Sequence, residues 1–186
     1  YFLIPENITP EIGNSDFTIE FWIKLTGSGV VYFQSLNDPN NAYSANTHID
    51  ILTTSTLFRL DLNNSTMDIN TDMTTYYNIW THFAITYDNL SSNNSDAGSI
   101  YINGNKQSTT NYGSGSAQFH KGTSAYGEVS IGKSYDSLPY YYNGELKQLR
   151  VYNSVKYTSN FNVDLDNNIT LESLNEYNLN DLNNYF

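Results

Sequence analysis

The chain has no cysteine, only 4 prolines and 2 methionines, and 8 basic residues against 19 acidic ones in 186 positions. Without cysteine there are no disulfides and no thiolate-ligated metal sites. With so little positive charge, and a formal net charge of −11, the surface repels a phosphate backbone and an anionic bilayer. The composition therefore argues against nucleic acid as a partner and against membrane insertion. No apolar run approaches the ~18 residues of a membrane-spanning helix. There is no signal-peptide pattern, and the chain opens in a strand-like run, "YFLIPENITPEI", as expected of an excised domain or mature fragment.

What is abundant is aromatic and turn-forming. Aromatic residues make up 15%, with 17 tyrosines; tyrosine suits strands and can stack on sugar rings. The length fits one domain able to stand without staples. The dominant period is two. In Asp16–Leu25, Phe17, Ile19, Phe21, Ile23 and Leu25 share one parity, while Thr18, Glu20, Trp22 and Lys24 share the other. This predicts a half-buried strand with one inward face. Val30–Gln34, Asp50–Leu52 and Leu57–Leu62 read as further strands, and Asn63–Met73 contains another. Trp80–Tyr87 carries apolar residues on both parities and is expected to lie centrally. Asn103-Gly104, inside "SIYINGNKQ", signals a type I′ hairpin. Glu128–Gly132 and Glu145–Tyr152 complete the pattern, with Leu149 and Val151 expected to point inward. From Asp164 onward the text becomes Asn-rich, so residues 1–162 are read as the sandwich and 163–186 as a tail, linker or short helix.

Three blocks in order, "FTIEFWIK" from Phe17, "WTHFAITYD…SIYINGN" from Trp80 and "IGKSYDSLPYYYNGELKQLRVYN" from Ile131, resemble the laminin G-like branch of the concanavalin A-like lectins. The resemblance implies an all-β fold: a two-sheet antiparallel jelly-roll sandwich. The segment Val155–Phe161, "VKYTSNF", looks like the closing segment of such modules on virus and phage surface or tail proteins. A more distant likeness is to the lectin-like half of clostridial neurotoxin receptor-binding regions. Both likenesses imply attachment.

Catalysis in the glycoside hydrolases of this fold needs two carboxylates ~5–10 Å apart. No strand here carries the closely spaced acidic motif: "HIDI" offers Asp50, and Asp164 and Asp166 fall in the tail. His48, His82 and His120 do not assemble a zinc-binding pattern, and His82 is expected to be packed and hydrogen-bonded. Calcium takes 6–8 oxygen ligands, and the loop candidates are Asp38, Asp88, Asn89 and Asp96. Where many relatives read "G-x-I-D-E-V-R-I-Y", this chain has Lys147 and Gln148 in place of the acidic pair, which argues against calcium there. Calcium and plainly solvated loop acids both remain open. For a sugar or protein ligand, the loop residues Tyr43, Tyr126, Tyr135, Asp136, Tyr140, Tyr141 and Asn143 are the candidates, because sandwich rims carry recognition. Trp22 and Trp80 lie within strands and are expected in the core.

The expected function is a non-catalytic binding module for a carbohydrate or cell-surface receptor, on a virion or other extracellular surface. The alternatives are a structural module that packs against other virion or fibre subunits, and a glycoside hydrolase relative.

Overall fold

The computed structural model describes residues 2–4, 16–35, 48–62, 65–88, 98–112, 129–133, 141–163 and 177–178. They form thirteen strands: β1 Phe2–Ile4, β2 Phe17–Leu25, β3 Gly29–Ser35, β4 His48–Thr53, β5 Leu57–Leu62, β6 Ser65–Asn70, β7 Trp80–Tyr87, β8 Gly98–Ile102, β9 Asn105–Lys106, β10 Thr110–Tyr112, β11 Val129–Ile131, β12 Gly144–Tyr152 and β13 Tyr177–Asn178. Two antiparallel sheets result. The seven-stranded sheet has the order β1-β11-β3-β4-β5-β6-β10, and the six-stranded sheet the order β13-β12-β2-β7-β8-β9. The expected all-β sandwich is what forms. Among the described residues there is no α-helix, only a 3-10 turn over Met73–Tyr76 that Asp72 caps through the Thr74 N–H.

The inward parity of β2 behaves as its alternation dictates. Phe17, Ile19, Phe21, Ile23 and Leu25 pack with Ile51, Phe58, Leu60, Phe83, Ile85, Ile100, Leu149 and Val151 in one core between the sheets. Phe58 and Phe83 stack across the interior with centroids 4.5 Å apart. Each such side chain contributes about 1.5–3 kcal/mol by leaving water. At the β8–β9 corner, Asn103 and Gly104 take positive φ of 48° and 75°, with Ile102 paired to Asn105, as the two-residue turn requires.

The outward parity of β2 differs from the half-exposed expectation. Thr18, Glu20 and Trp22 are as buried as the core residues, because the chain after β12, residues 153–163, runs back across this face as a strap. Thr18 Oγ1 donates to the Ser154 carbonyl at 2.8 Å and accepts from the Lys156 N–H at 2.9 Å. Tyr101 Oη donates to the Tyr157 carbonyl, and the Phe161 N–H to the Gly104 carbonyl. Beyond the strap, Tyr177 and Asn178 of the predicted tail pair with Val151 and Arg150 at the sheet edge; the tail's other residues from 164 on lie outside the described ones.

β12 carries a bulge. Its register against β2 shifts between Lys147 and Arg150, and Gln148 sits at φ 52°. The extra residue lets Lys147 and Arg150, three apart, occupy the outer face while Leu149 and Val151 still enter the core.

Candidate functional site

One end of the sandwich gathers the chemistry that faces solvent. There β2 finishes at Leu25, β7 begins at Trp80 and β12 begins at Gly144. Among the described residues the exposed large hydrophobics are Ile79, 57% exposed, and Tyr141, 51% exposed, and both are at this end. Ile79 follows Asn78, whose N–H donates to the Leu25 carbonyl at 2.8 Å. Tyr141 is stitched by backbone bridges to Val30 and Lys133. Its loop is held further by Tyr142, whose N–H donates to the Gly132 carbonyl and whose hydroxyl donates to the Glu145 carbonyl at 2.9 Å. Burial and then the Glu145 charge push that phenol well above its ordinary range, against the hydrogen bond to the Lys24 carbonyl, so it stays a neutral donor.

The loop lies against Thr26–Gly29 too closely for any side chain at Gly29. A Cβ there would collide with the Tyr141 carbonyl and the Tyr142 backbone. Asn143 is fixed from the same side: its Oδ1 accepts from Thr26 Oγ1 at 3.0 Å, and its carbonyl accepts from the Thr26 N–H at 2.9 Å. Beside the loop, on the outer sheet face, the exposed Lys147 ammonium sits 4.3 Å over the Trp80 ring and 5.6 Å from the Trp22 ring. Lys24 and Glu145 pair next to it at 2.9 Å. Tyr141, Ile79, Trp80, Asn143 and Lys147 thus stand at this one end of the sandwich.

Of the residues singled out from sequence, the structure brings Tyr141 and Asn143 together here. Asp88 is at the opposite end, about 26 Å away along β2 at ~3.3 Å per residue. It lies in reach of Tyr87, whose phenol is raised by burial and by the Asp88 and Asp16 carboxylates. Tyr43, Tyr126, Tyr135, Asp136, Tyr140, Asp38, Asn89 and Asp96 lie outside the described residues. Among the described residues no three His, Asp or Glu side chains converge as a metal site. The tryptophans do not join the core between the sheets. Trp22 is buried on the outer face, and Trp80 is only partly covered.

The densest electrostatic cluster is one that strand parity did not reveal. Glu20, 1% exposed, is the hub beneath the strap. Its Oε1 accepts from Tyr152 Oη at 2.8 Å and Arg150 Nη1 at 3.1 Å. Its Oε2 accepts from Tyr157 Oη at 2.6 Å. Lys156 Nζ donates to Tyr152 Oη at 2.7 Å and sits 4.0 Å from the carboxylate. Burial alone would raise the Glu20 pKa. The two phenols and the charge of Lys156, joined by His82 only when that ring is protonated, outweigh it and hold the carboxyl below its ordinary range.

His82 Nε2 lies 3.7 Å from Glu20 Oε2, but burial drives the imidazole pKa down to about 4 against the pull of Glu20. The ring is therefore neutral at pH 7, and the contact is no ion pair there. The expectation of a packed His82 holds, between Trp22 and Phe161, whereas the hydrogen bonds with Asn103 are made by its backbone and not by the ring. Its Nδ1 has no partner among the described residues.

A family model described as the concanavalin A-like lectin/glucanases superfamily matches residues 1–159. No curated protein matches the chain by sequence. Among solved structures, mouse laminin alpha1 chain domains LG4-5 superpose with a TM-score of 0.56 at 8% identity, over 82% of this chain and 39% of that one. The Ruminococcus gnavus IT-sialidase CBM40, solved bound to alpha2,3 sialyllactose, gives 0.58 at 15% identity, over 78% of this chain and 80% of that one. A putative carbohydrate binding protein from Bacteroides ovatus gives 0.52 at 15%, over 80% and 41%. The chain thus spans well under half of two of these three.

Proposed function

This chain belongs to the concanavalin A-like lectin/glucanases superfamily, and we propose that it is a non-catalytic binding module that recognises carbohydrate through the rim of Tyr141, Asn143, Trp80 and Lys147. The observation that carries the reading is that, among the described residues, the two exposed large apolar side chains, Ile79 and Tyr141, lie at the same end of the sandwich. An aromatic ring offers a face for the C–H side of a sugar, and the neighbouring amide and ammonium offer hydrogen bonds to its hydroxyls. The Tyr141–Asn143 loop is tied down before any ligand arrives, which limits the ordering cost of binding. The fold shared with a module solved on a sialylated sugar makes acidic and neutral glycans the first class to try.

The buried carboxylates among the described residues are engaged in structure. The buried acids of the described residues are Glu20 and Asp68. Glu20 is sealed under the strap, and Asp68 is held bidentate by Arg59 at 2.7 Å on both oxygens. Among the described residues neither stands across a cleft from a second carboxylate in the manner of a glycosidase pair. In our reading the parent protein displays this module on a virion or other extracellular surface, where several weak copies add up to firm attachment to a cell-surface glycan or receptor.

The test is a glycan array with the purified chain, run with calcium and with chelator, beside Tyr141→Ala. Binding by the wild type that the variant loses supports the rim. Binding lost on chelation adds calcium held by loop acids to the site. Absence of binding by folded protein would favour an assembly role against other virion or fibre subunits.

A further inference from the structure

The strap leaves part of the outer face of the six-stranded sheet uncovered, toward the rim. There the register sets Lys147 of β12 opposite Trp22 of β2, and Lys24 of β2 between Glu145 of β12 and Trp80 of β7. Lys147 and Trp80 are on strands separated by β2, about 10 Å apart at the usual spacing. Yet the Lys147 ammonium lies 4.3 Å from the centre of the Trp80 ring. The lysine stem therefore crosses over β2, with the ammonium 5.6 Å from the Trp22 ring as well. Trp22 is buried and Trp80 partly covered, so the two rings are a fixed floor under an exposed cation.

The backbone is shaped to put the lysine there. By strict alternation Lys147 shares the parity of Leu149 and Val151, which enter the core. The bulge frees it for the outer face, at the cost of a left-handed Gln148 with φ 52°. A bulge re-aims the side chain beside it in this way. The electrostatics single out the same residue. On this face Lys24 pairs with Glu145 at 2.9 Å, and Arg150 and Lys156 share Glu20 at 3.1 and 4.0 Å. Lys147, among the described residues, meets only the two rings. An indole face holds an ammonium in place without neutralising it, so its N–H donors stay available to an acceptor that arrives from solvent.

We infer that Lys147 makes this end of the sandwich selective for glycans that carry a carboxylate, which it receives on an ammonium positioned by Trp80 and Trp22. The inference rests on the reading of this end as a carbohydrate site and names the class of sugar. The net charge of −11 limits the anion to an isolated one. A single carboxylate meets the ammonium at short range, whereas a densely sulfated chain also meets the acidic surface around it, including Glu145 on the same strand. Sialic and uronic acids both supply a lone carboxylate on a sugar ring.

The experiment is titration calorimetry on the full chain with matched pairs: alpha2,3 sialyllactose against lactose, and a glucuronic-acid-terminated disaccharide against its glucose-terminated counterpart, with heparin as the polyanion. Each is run on the wild type, Lys147→Gln and Lys147→Arg. The expected result is that the acidic member of at least one pair binds the wild type about tenfold tighter than the neutral one, as a charge-assisted hydrogen bond gives. The pair that shows the preference identifies which acid supplies the group. The preference should shrink as salt is raised, disappear in Lys147→Gln and persist in Lys147→Arg. Equal binding of acidic and neutral sugars by the wild type would overturn the inference and leave the carbohydrate reading standing. A preference that survives in Lys147→Gln, or heparin as the tightest ligand, would overturn it likewise. Absence of binding by every sugar would take down both. The wild-type pairs decide the matter even if a Lys147 variant does not fold.

Discussion

Tyr157 Oη donates to Glu20 Oε2 at 2.6 Å across 137 residues of chain. This bond ties the strap to the second strand of the fold and makes one carboxylate answerable for the outer face. Glu20→Ala leaves Arg150, Tyr152 and Tyr157 without their common acceptor. Arg150 can turn partly to water, so the loss is smaller than for a fully buried pair. Urea denaturation is expected to show about 2–4 kcal/mol of destabilisation, and Glu20→Gln, which keeps one acceptor, less.

The pH dependence follows from two depressed groups. His82 is held neutral in the folded protein, with its pKa lowered from 6.5 to about 4. The unfolded chain therefore binds the proton first, and stability falls as pH drops from 6.5 toward 4. Glu20, also lowered, contributes stability that is present above its unfolded value of 4.5 and lost below it as pH falls through the folded value. Urea midpoints at pH 7, 5.5 and 4.5 should decline in that order, with His82 contributing up to about 3 kcal/mol. His82→Phe should flatten the part of the decline above pH 4.5.

On the seven-stranded sheet, Arg59 grips the 2%-exposed Asp68 from the neighbouring strand. Arg59→Ala strands a buried carboxylate and is expected to cost about 3–5 kcal/mol, measured by thermal or urea unfolding. The double variant Arg59→Leu with Asp68→Val should recover most of that loss, because no unpaired charge remains.

Gly29→Ala pushes a methyl group into the Tyr141 carbonyl and the Tyr142 backbone. Neither is the end of a flexible side chain, so the rim loop itself must move. The variant should lose about 1–3 kcal/mol of stability and weaken glycan binding in proportion to the loop's displacement, as titration calorimetry with an array hit would show.

Tyr141→Ala separates binding from folding. The side chain is half exposed, so its removal should change the urea midpoint by less than about 0.5 kcal/mol. If the ring is the platform, affinity should fall about tenfold or more. A variant that binds like the wild type would remove Tyr141 from the site.

The inward half of this fold was legible because it obeys local rules. Alternation in "FTIEFWIK" names the β2 core residues, and Asn103-Gly104 names its own turn. Leu149 and Val151 face inward as their positions suggest. Lys147 shares their parity and does not, because the bulge at Gln148 shifts the register at that point. Of the candidate site residues, Tyr141 and Asn143 were findable as polar-loop residues near a strand end. That Ile79 and Trp80 stand at the same end was not, because it depends on which strands end at the same rim.

The sequence by itself determined the class of fold, the core and the absence of disulfide or thiolate chemistry, since periodicity, turn residues and composition act over a few positions. Only the tertiary structure decided that Glu20, on the parity of β2 expected to face water, is buried among Tyr152, Tyr157, Arg150 and His82. Its burial comes from a segment more than a hundred residues later folding back over the sheet, and no local pattern records a contact made at that separation.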